Sequence, residues 1–364
     1  MLFSITFLLS HHNIEGTTAD DVVGKNETTI VDNNQENNPN DVASLVDKGL
    51  ILYNMSKYEE AVEWFDKALA IDSNYLDALI NKGRAFYNLE RYEESLQLFD
   101  KVLSFQPNNV IAINGKAVSL DDIGRNNEAI RWYDRALSID PNHAHALNNK
   151  GRLLDELGKH EEAIQFYDKV LSIDSQYLDA YSNKGSALSY MGKEKEAMQW
   201  VDKALAIDSN DTNALLTKGW VLYVNGRYNE SLQYSDKALQ TDPDDFVILS
   251  NKGLAFYKLG EYEQALKWFD KALSIDPNYY ESVAGKGIVL HELGKPAEAQ
   301  DFFNKVLSLE PNYAKSMEGA GFSLTNMSND KAVEWLDRAL VIGPSNLDAL
   351  NRINGTKSSV NSTE

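Results

Sequence analysis

The stretch NKGLAFYKLGEYEQALKWFDKALSIDPNY, from Asn251 to Tyr279, decides the fold. Its small residues Gly253 and Ala265 lie twelve positions apart, and each belongs to an apolar pattern with the spacing of one helix face. Gly260 separates the two patterns and Pro277 follows the second, and both residue types are typical of helix ends. The stretch therefore predicts two helices joined as a hairpin.

The same pattern recurs every 34 residues along the chain. A period held without slippage predicts one hairpin copied nine times, in which each copy buries its apolar face on its neighbours. We expect the glycines from Gly124 to Gly294 that follow the first helices to adopt a left-handed conformation. The small residues that carry the period are Gly49, Gly83, Ala117, Gly151, Gly185, Gly219, Gly253, Gly287 and Gly321.

The segment Asn251 to Tyr279 resembles an almost complete tetratricopeptide repeat, and the likeness extends over residues 42–346. It is similar to the multi-repeat arrays of prokaryotes, archaeal ones in particular. The resemblance implies an all-α fold, namely an α-solenoid that forms a right-handed superhelix of nine helix-turn-helix units. Residues 347–364 are expected to add a short capping helix and a polar tail. Val201 and Ser235 replace the aromatic residue of the second helix, so we expect looser packing there.

The N-terminal region has a different composition. Residues 1–10, MLFSITFLLS, have the length and apolarity of a signal-peptide core without a basic residue ahead of it. They are either a truncated export signal or a terminal segment that docks loosely on the array. Residues 11–41 are rich in Asn and Asp and are expected to form a disordered tether. Both an exported and a cytoplasmic location remain open.

Composition restricts the partners. The chain has a net charge of -20, which repels the phosphates of nucleic acids and favours a basic or neutral protein partner, although acidity can also serve solubility alone. No apolar stretch approaches the roughly 20 residues of a membrane helix, so we expect no membrane insertion of the array. Cysteine is absent, which excludes disulfides and thiol chemistry.

The residues that could carry chemistry do not form a recognisable motif. His143 and His145 straddle a turn without further metal ligands nearby. The acid pairs Asp121–Asp122 and Asp155–Glu156 are interpreted as solvated surface charge. We therefore predict no catalytic residue, no cofactor and no metal, and a protein that is not an enzyme.

Tryptophans reveal a second period of two repeats. Trp64, Trp132, Trp200, Trp268 and Trp335 share one position of the second helix, and alanine follows each of them four residues later. Since residues i and i+4 are neighbours on a helix, this pairing of large with small predicts inter-helix packing. The alternative is an exposed aromatic ladder that stacks on a partner or a carbohydrate.

The positions at which the repeats differ indicate a binding surface. The resemblance implies that the first helices line a concave groove that binds a protein or peptide, as in an adaptor or scaffold. Aromatic side chains would bury apolar groups of the ligand, while Arg84 and Arg152 would pair with its acidic groups or carbonyls. The alternative is a self-associating structural protein, at the cell surface for example, so a homo-oligomer is possible. The predicted binding residues are Tyr53, Arg84, Tyr87, Asn149, Arg152, Trp220, Tyr223 and Tyr257.

Overall fold

The computed structural model describes residues 41–309, and all sixteen elements in that range are α-helices. The helices form consecutive helix-turn-helix pairs, as predicted. They belong to two compact units that divide between Lys193 and Glu194. The predicted signal segment, almost all of the tether, the ninth repeat, the capping helix and the polar tail lie outside the described residues.

Unit 1 contains helices α1 to α9. The odd-numbered helices, here termed A helices, have 13 residues and the even-numbered B helices have 14. The A helices α1, α3, α5 and α7 each pack on the B helix that follows, and each B helix of the unit also packs on the next A helix. The helices are α1 Val42–Asn54, α2 Tyr58–Ile71, α3 Leu76–Asn88, α4 Tyr92–Phe105, α5 Val110–Asp122, α6 Asn126–Ile139, α7 Ala144–Glu156, α8 His160–Ile173 and α9 Leu178–Tyr190.

Unit 2 has the same arrangement of A and B helices in its described part. It begins with the B helix α10, and three complete hairpins follow. No helix among residues 41–309 is long and apolar enough to cross a bilayer. The helices of unit 2 are α10 Glu194–Ile207, α11 Thr212–Val224, α12 Tyr228–Thr241, α13 Phe246–Lys258, α14 Tyr262–Ile275, α15 Tyr280–Glu292 and α16 Pro296–Leu309.

An aromatic ring on each typical B helix holds the hairpins together. Phe269 is completely buried between two glycines. A Cβ atom added at Gly253 would lie 2.7 Å from Phe269 Cε1, and one added at Gly285 of the next A helix would lie 2.4 Å from Cζ. Because such distances are shorter than van der Waals contact, the ring requires glycine on both A helices. The predicted complementarity of small and large residues is therefore present in the structure.

The turn inside each hairpin depends on one left-handed residue. Gly260 has a φ of +77°, and the other predicted glycines from Gly124 to Gly294 behave alike. In the first two hairpins the corresponding residues are Ser56 and Glu90, with φ values of +57° and +58°. Because a side chain makes this conformation costly, these two turns are strained relative to the glycine turns.

A charged pair joins each hairpin to the next. Asp100 on α4 contacts Lys116 on α5 with an Oδ1–Nζ distance of 2.5 Å. Lys271, which follows Asp270 on α14, donates instead to the Pro243 carbonyl of the preceding turn. Equivalent pairs, 16 residues apart, are Asp66–Lys82, Asp134–Lys150, Asp168–Lys184, Asp202–Lys218, Asp236–Lys252 and Asp270–Lys286.

Two tryptophans of the two-repeat period, Trp132 and Trp268, take part in packing. Trp132 and Trp268 are half-buried against the hydrophobic clusters of their units. The Nζ atoms of Lys116 and Lys252 lie 4.2 and 3.8 Å from the centroids of these two rings. The lysine ammonium groups therefore cover the rings, in the geometry of a cation–π interaction. This favours the packing interpretation over an open ladder.

Candidate functional site

The predicted binding residues all lie on A helices. In unit 1, successive A helices contact each other from α1 to α9, and in unit 2 from α11 to α15. The surface that the A helices form within a unit is termed its A-face. Tyr53, Arg84, Tyr87, Asn149 and Arg152 belong to the A-face of unit 1, and Trp220, Tyr223 and Tyr257 belong to that of unit 2.

Tyr53 and Arg84 form the first part of the A-face of unit 1. Asn88 Nδ2 donates to Tyr53 Oη over 2.7 Å, and the Arg84 guanidinium lies 5.8 Å from the Tyr53 ring centroid. Burial raises the pKa of Tyr53, although the charge of Arg84 opposes this rise. Arg84 Nη1 donates to Asn81 Oδ1 over 3.5 Å, whereas Nη2 is buried and has no acceptor among residues 41–309.

Asparagines connect the middle of this face. Asn149 Nδ2 donates to Asn114 Oδ1 over 3.5 Å, and Asn183 Nδ2 donates to Asn148 Oδ1 over 3.1 Å. Both bonds join one A helix to the next. Asn149 is thus a half-buried residue that already has a partner within the fold. Its contact fixes the spacing of α5 and α7.

Arg152 is the centre of a charged cluster that the sequence does not reveal. Its Nη2 lies 2.8 Å from Asp121 Oδ2 on α5, and its Nη1 lies 2.5 Å from Glu156 Oε1. Tyr87 on α3 donates its hydroxyl hydrogen to Asp122 Oδ2. These five residues are termed the Arg152 cluster. Arg152, which was predicted to pair with an acidic group or carbonyl of the ligand, thus already holds two carboxylates of the chain itself.

Burial sets the protonation of the cluster. It raises the pKa of Asp121 to about 7 despite the attraction of Arg152, and it also raises the pKa of Glu156. Asp121 has a side chain only 3% exposed. The interpretation of Asp121 and Glu156 as solvated surface charge is therefore wrong, because the adjacent A helix covers them. Spacing within α5 could not reveal a contact made 31 residues later.

Asp155 also has a partner. Its Oδ1 lies 2.6 Å from Nδ1 of His160, whose ring stacks on Tyr190 at a centroid distance of 5.4 Å. The hydrogen bond to Asp155 raises the pKa of His160, and burial raises that of Asp155. No group of three or more His, Cys, Asp or Glu residues in the described part of the chain has the arrangement of a metal site. His143 instead accepts a hydrogen bond from the backbone of Ala146 at the start of α7.

The A-face of unit 2 is aromatic. Trp220 and Tyr223 stack at a centroid distance of 5.3 Å with an interplanar angle of 22°, and each is 6% exposed. They form one wall of a narrow crevice that is too small to hold a water molecule and whose other walls include Ser235 and Asn251. Ser235 stands where Phe269 stands in the next repeat. A Cβ atom added at Gly219 would lie no closer than 3.5 Å to its neighbours, so the looser packing predicted at Ser235 is observed.

Tyr257 continues this aromatic face on α13. It is half-buried and its ring is tilted against Tyr262 at a centroid distance of 6.2 Å. Burial, and then the charge of Glu292, raises its pKa. Tyr257 is more accessible than Trp220 and Tyr223. It is therefore the best placed of the three to touch a ligand directly.

Family models match most of the repeats. The tetratricopeptide repeat models match residues 76–109, 108–176, 178–211, 246–279 and 280–313, and a TPR repeat model matches residues 49–90. Together these ranges cover more than half of the chain. The comparison with curated proteins found no match.

Solved structures share the fold at low sequence identity. The Cut9–Hcn1 hetero-tetramer of APC/C has a chain with 15% identity and a TM-score of 0.62, over 86% of this chain and 76% of that one. A tetratricopeptide repeat protein from Parabacteroides merdae has 19% identity and a TM-score of 0.56, over 68% of this chain and 97% of that one. These likenesses do not support the expected prokaryotic, archaeal-like origin. The repeat matches and the helical hairpins together show that the chain belongs to the tetratricopeptide repeat family, whose fold serves as a protein-interaction scaffold.

Proposed function

We propose that the chain is an adaptor that binds an extended or helical segment of a partner protein on its A-faces. The observation that carries the proposal is the contrast between the two helix types. Most B helices repeat the same buried aromatic and alanine residues, whereas the A-face residues differ between hairpins, and several of them, such as Tyr87 and Tyr257, are partly accessible. Packing explains the residues that recur, and a ligand explains those that vary.

Arg84 contributes a specific contact to this proposal. Its Nη2 is a buried donor without an acceptor among the described residues, and the aromatic ring of Tyr53 lies beside it. A buried unsatisfied donor costs about 1–3 kcal/mol, which a ligand carbonyl would relieve. Arg84 therefore suits a main-chain carbonyl of the bound segment.

Site-specific photo-cross-linking tests the proposal. A benzophenone amino acid replaces Tyr257 on the A-face of unit 2, and a matched variant carries it at Glu263, an exposed position on the B helix α14. Both variants are exposed to an extract of the source cells, and cross-linked proteins are identified by mass spectrometry. We expect one partner to cross-link at position 257 and not at 263. Equal products at both positions, or none at 257, would contradict binding on the A-face.

Self-association is a second candidate, and a row of apolar side chains favours it. Ile71, Phe105, Ile139 and Ile173 recur at the ends of the B helices of unit 1, and they are 38–59% exposed. Apolar residues aligned on a surface can form an interface between copies. Light scattering at increasing protein concentration tests this candidate. A constant monomer mass would remove it, whereas a rising mass that the Ile139→Asp variant abolishes would support it.

A further inference from the structure

The Arg152 cluster holds more negative than positive groups. Asp121 and Asp122 end α5, Glu156 ends α7, and Arg152 is the cationic member that contacts Asp121 and Glu156. Asp121 is buried, while the side chains of Arg152 and Glu156 are each 20% exposed. Three carboxylates therefore share one guanidinium on a surface that a ligand can reach.

The ionised forms of Asp121 and Glu156 are electrostatically destabilised in the free protein. Burial is the main reason for the raised pKa values of Asp121 and Glu156, and each is also raised by nearby carboxylates. Arg152 lowers both without cancelling the rise. An additional cation would stabilise the ionised carboxylates, since opposite charges interact strongly when they are shielded from water.

A second observation points to the same place. Tyr133 on α6 is completely buried, and its hydroxyl group has no hydrogen-bond partner among residues 41–309. Burial and then the charge of Asp121 raise its pKa, and Arg152, Asp122 and Glu156 also act on it. The buried hydroxyl therefore lies within electrostatic reach of Asp121, Arg152, Asp122 and Glu156. A polar group without a partner in such a position is characteristic of a site that a ligand or its water completes.

We propose that the Arg152 cluster binds a basic side chain, lysine or arginine, of the partner segment. This deepens the adaptor function and rests on it. The carboxylate excess of the cluster and the net charge of -20 both complement a basic group. The partly exposed carboxylates Glu156 and Asp122 receive the cation, while Asp121 lies behind them beside Arg152.

Binding of the cation is linked to protons. A bound ammonium group favours ionised carboxylates, so it releases protons near neutral pH and binds more tightly as the pH rises. The titratable and charged groups that face the cluster come from every helix packed around it. They are Tyr87 on α3, Tyr92 on α4, Asp121 and Asp122 on α5, Tyr133 on α6, Arg152, Asp155 and Glu156 on α7, and His160 and Tyr167 on α8.

Calorimetry with a capped tetralysine peptide tests the site. Titrations at pH 7 in phosphate and in Tris give the number of protons released, because the two buffers differ in ionisation enthalpy. We expect the wild type to bind the peptide with proton release, and the ε-acetylated peptide not to bind. The double variant Asp121→Asn, Glu156→Gln should bind at least about tenfold more weakly and release almost no protons.

A matched control separates the site from the general acidity of the surface. Glu63→Gln with Glu162→Gln removes the same two charges from exposed positions of unit 1. This control should retain wild-type affinity and proton release. Equal weakening of both double variants would overturn the site, and so would tetralysine binding without proton release. The wild type also provides a test without substitutions, since affinity that does not fall from pH 8 to pH 5.5 would overturn the linkage.

The calorimetry tests the cation site separately from the adaptor function, which the cross-linking tests. Cross-linking at position 257 reports on a bound segment in unit 2, whereas tetralysine reports on the cluster in unit 1. Cross-links without tetralysine binding would leave the adaptor function in place and remove the basic-side-chain site. Tetralysine binding without cross-links would retain the cation site and remove the segment that is proposed to carry the cation.

Discussion

Gly219 and Gly253 share one repeat position but have different neighbours. A methyl group at Gly253 would lie 2.7 Å from the Phe269 ring, whereas one at Gly219 would lie 3.5 Å from the Ser231 carbonyl oxygen. We expect Gly219→Ala to raise the free energy of unfolding by about 0.5–1 kcal/mol, because alanine favours a helix. Gly253→Ala should lower it by about 1–3 kcal/mol through overpacking. Urea unfolding measures both variants, and changes of the same sign would contradict the ring-against-glycine packing.

Glu90 provides a second test at the residue scale. It adopts a left-handed φ of +58° at a turn where later hairpins have glycine. Replacing it with glycine should stabilise the protein by about 1 kcal/mol, because the side chain no longer opposes this conformation. The reverse change, Gly260→Ala, should destabilise by a similar amount. Thermal unfolding of the two variants would refute this if Glu90→Gly melted at a lower temperature than the wild type.

Asp121 makes stability depend on pH. Its pKa of about 7 in the folded protein lies above the 3.8 of an exposed aspartate, so between these pH values the folded state holds a proton that the unfolded state releases. Stability is therefore lost as the pH rises from about 4 through 7. Asp121→Asn should be more stable than the wild type at pH 8 and nearly equal to it at pH 4. Unfolding curves at both pH values measure this, and a benefit confined to pH 4 would contradict it.

Single residues also show where sequence reasoning stops. The structural importance of Gly253 could be predicted, because small residues recur at its position every 34 residues. The partners of Asp121 could not, because adjacent A helices meet through positions that vary between repeats. The sequence identified Arg152 as part of a binding surface but not the two carboxylates that it holds.

At the scale of elements, the hairpin of α11 and α12 differs from the hairpin of α13 and α14 that follows it. Ser235 on α12 stands at the position that Phe269 occupies on α14, and a narrow crevice remains beside Ser235. With less apolar area buried, the backbone amides of α12 should exchange with deuterium faster than those of α14. Hydrogen-exchange mass spectrometry of the full chain measures both helices. Equal protection would show that Trp220 and Tyr223 fully compensate for the missing ring.

Helix type and order follow from local patterns, so the sequence predicted them well. Small and aromatic residues mark the faces, and glycine marks the turns. The sequence did not predict that Trp220 and Tyr223 lie beside Ser235 in one crevice. This arrangement depends on side chains of α11, α12 and α13 that pack in the same space, and the spacing of residues along α11 does not encode it.

At the scale of the whole molecule, the repeat period predicted the all-α architecture and the succession of hairpins in each unit. The ligand is harder to predict, since the residues proposed to bind it are the A-face residues that differ between repeats. The acidic composition pointed to a basic partner in general terms. The site proposed at the Arg152 cluster would give that preference a location.

The charged pairs between hairpins have a consequence for the ancestry of the chain. At each such junction, the B helix of one hairpin supplies an aspartate and the A helix of the next hairpin supplies a lysine. The two residues are always 16 positions apart. Unequal recombination that adds or removes a multiple of 34 residues would thus leave each new junction electrically matched. Such a gene can gain or lose repeats in a single recombination event without passing through a protein that fails to fold. The number of repeats could therefore change first, and the residues that recognise the partner could change afterwards.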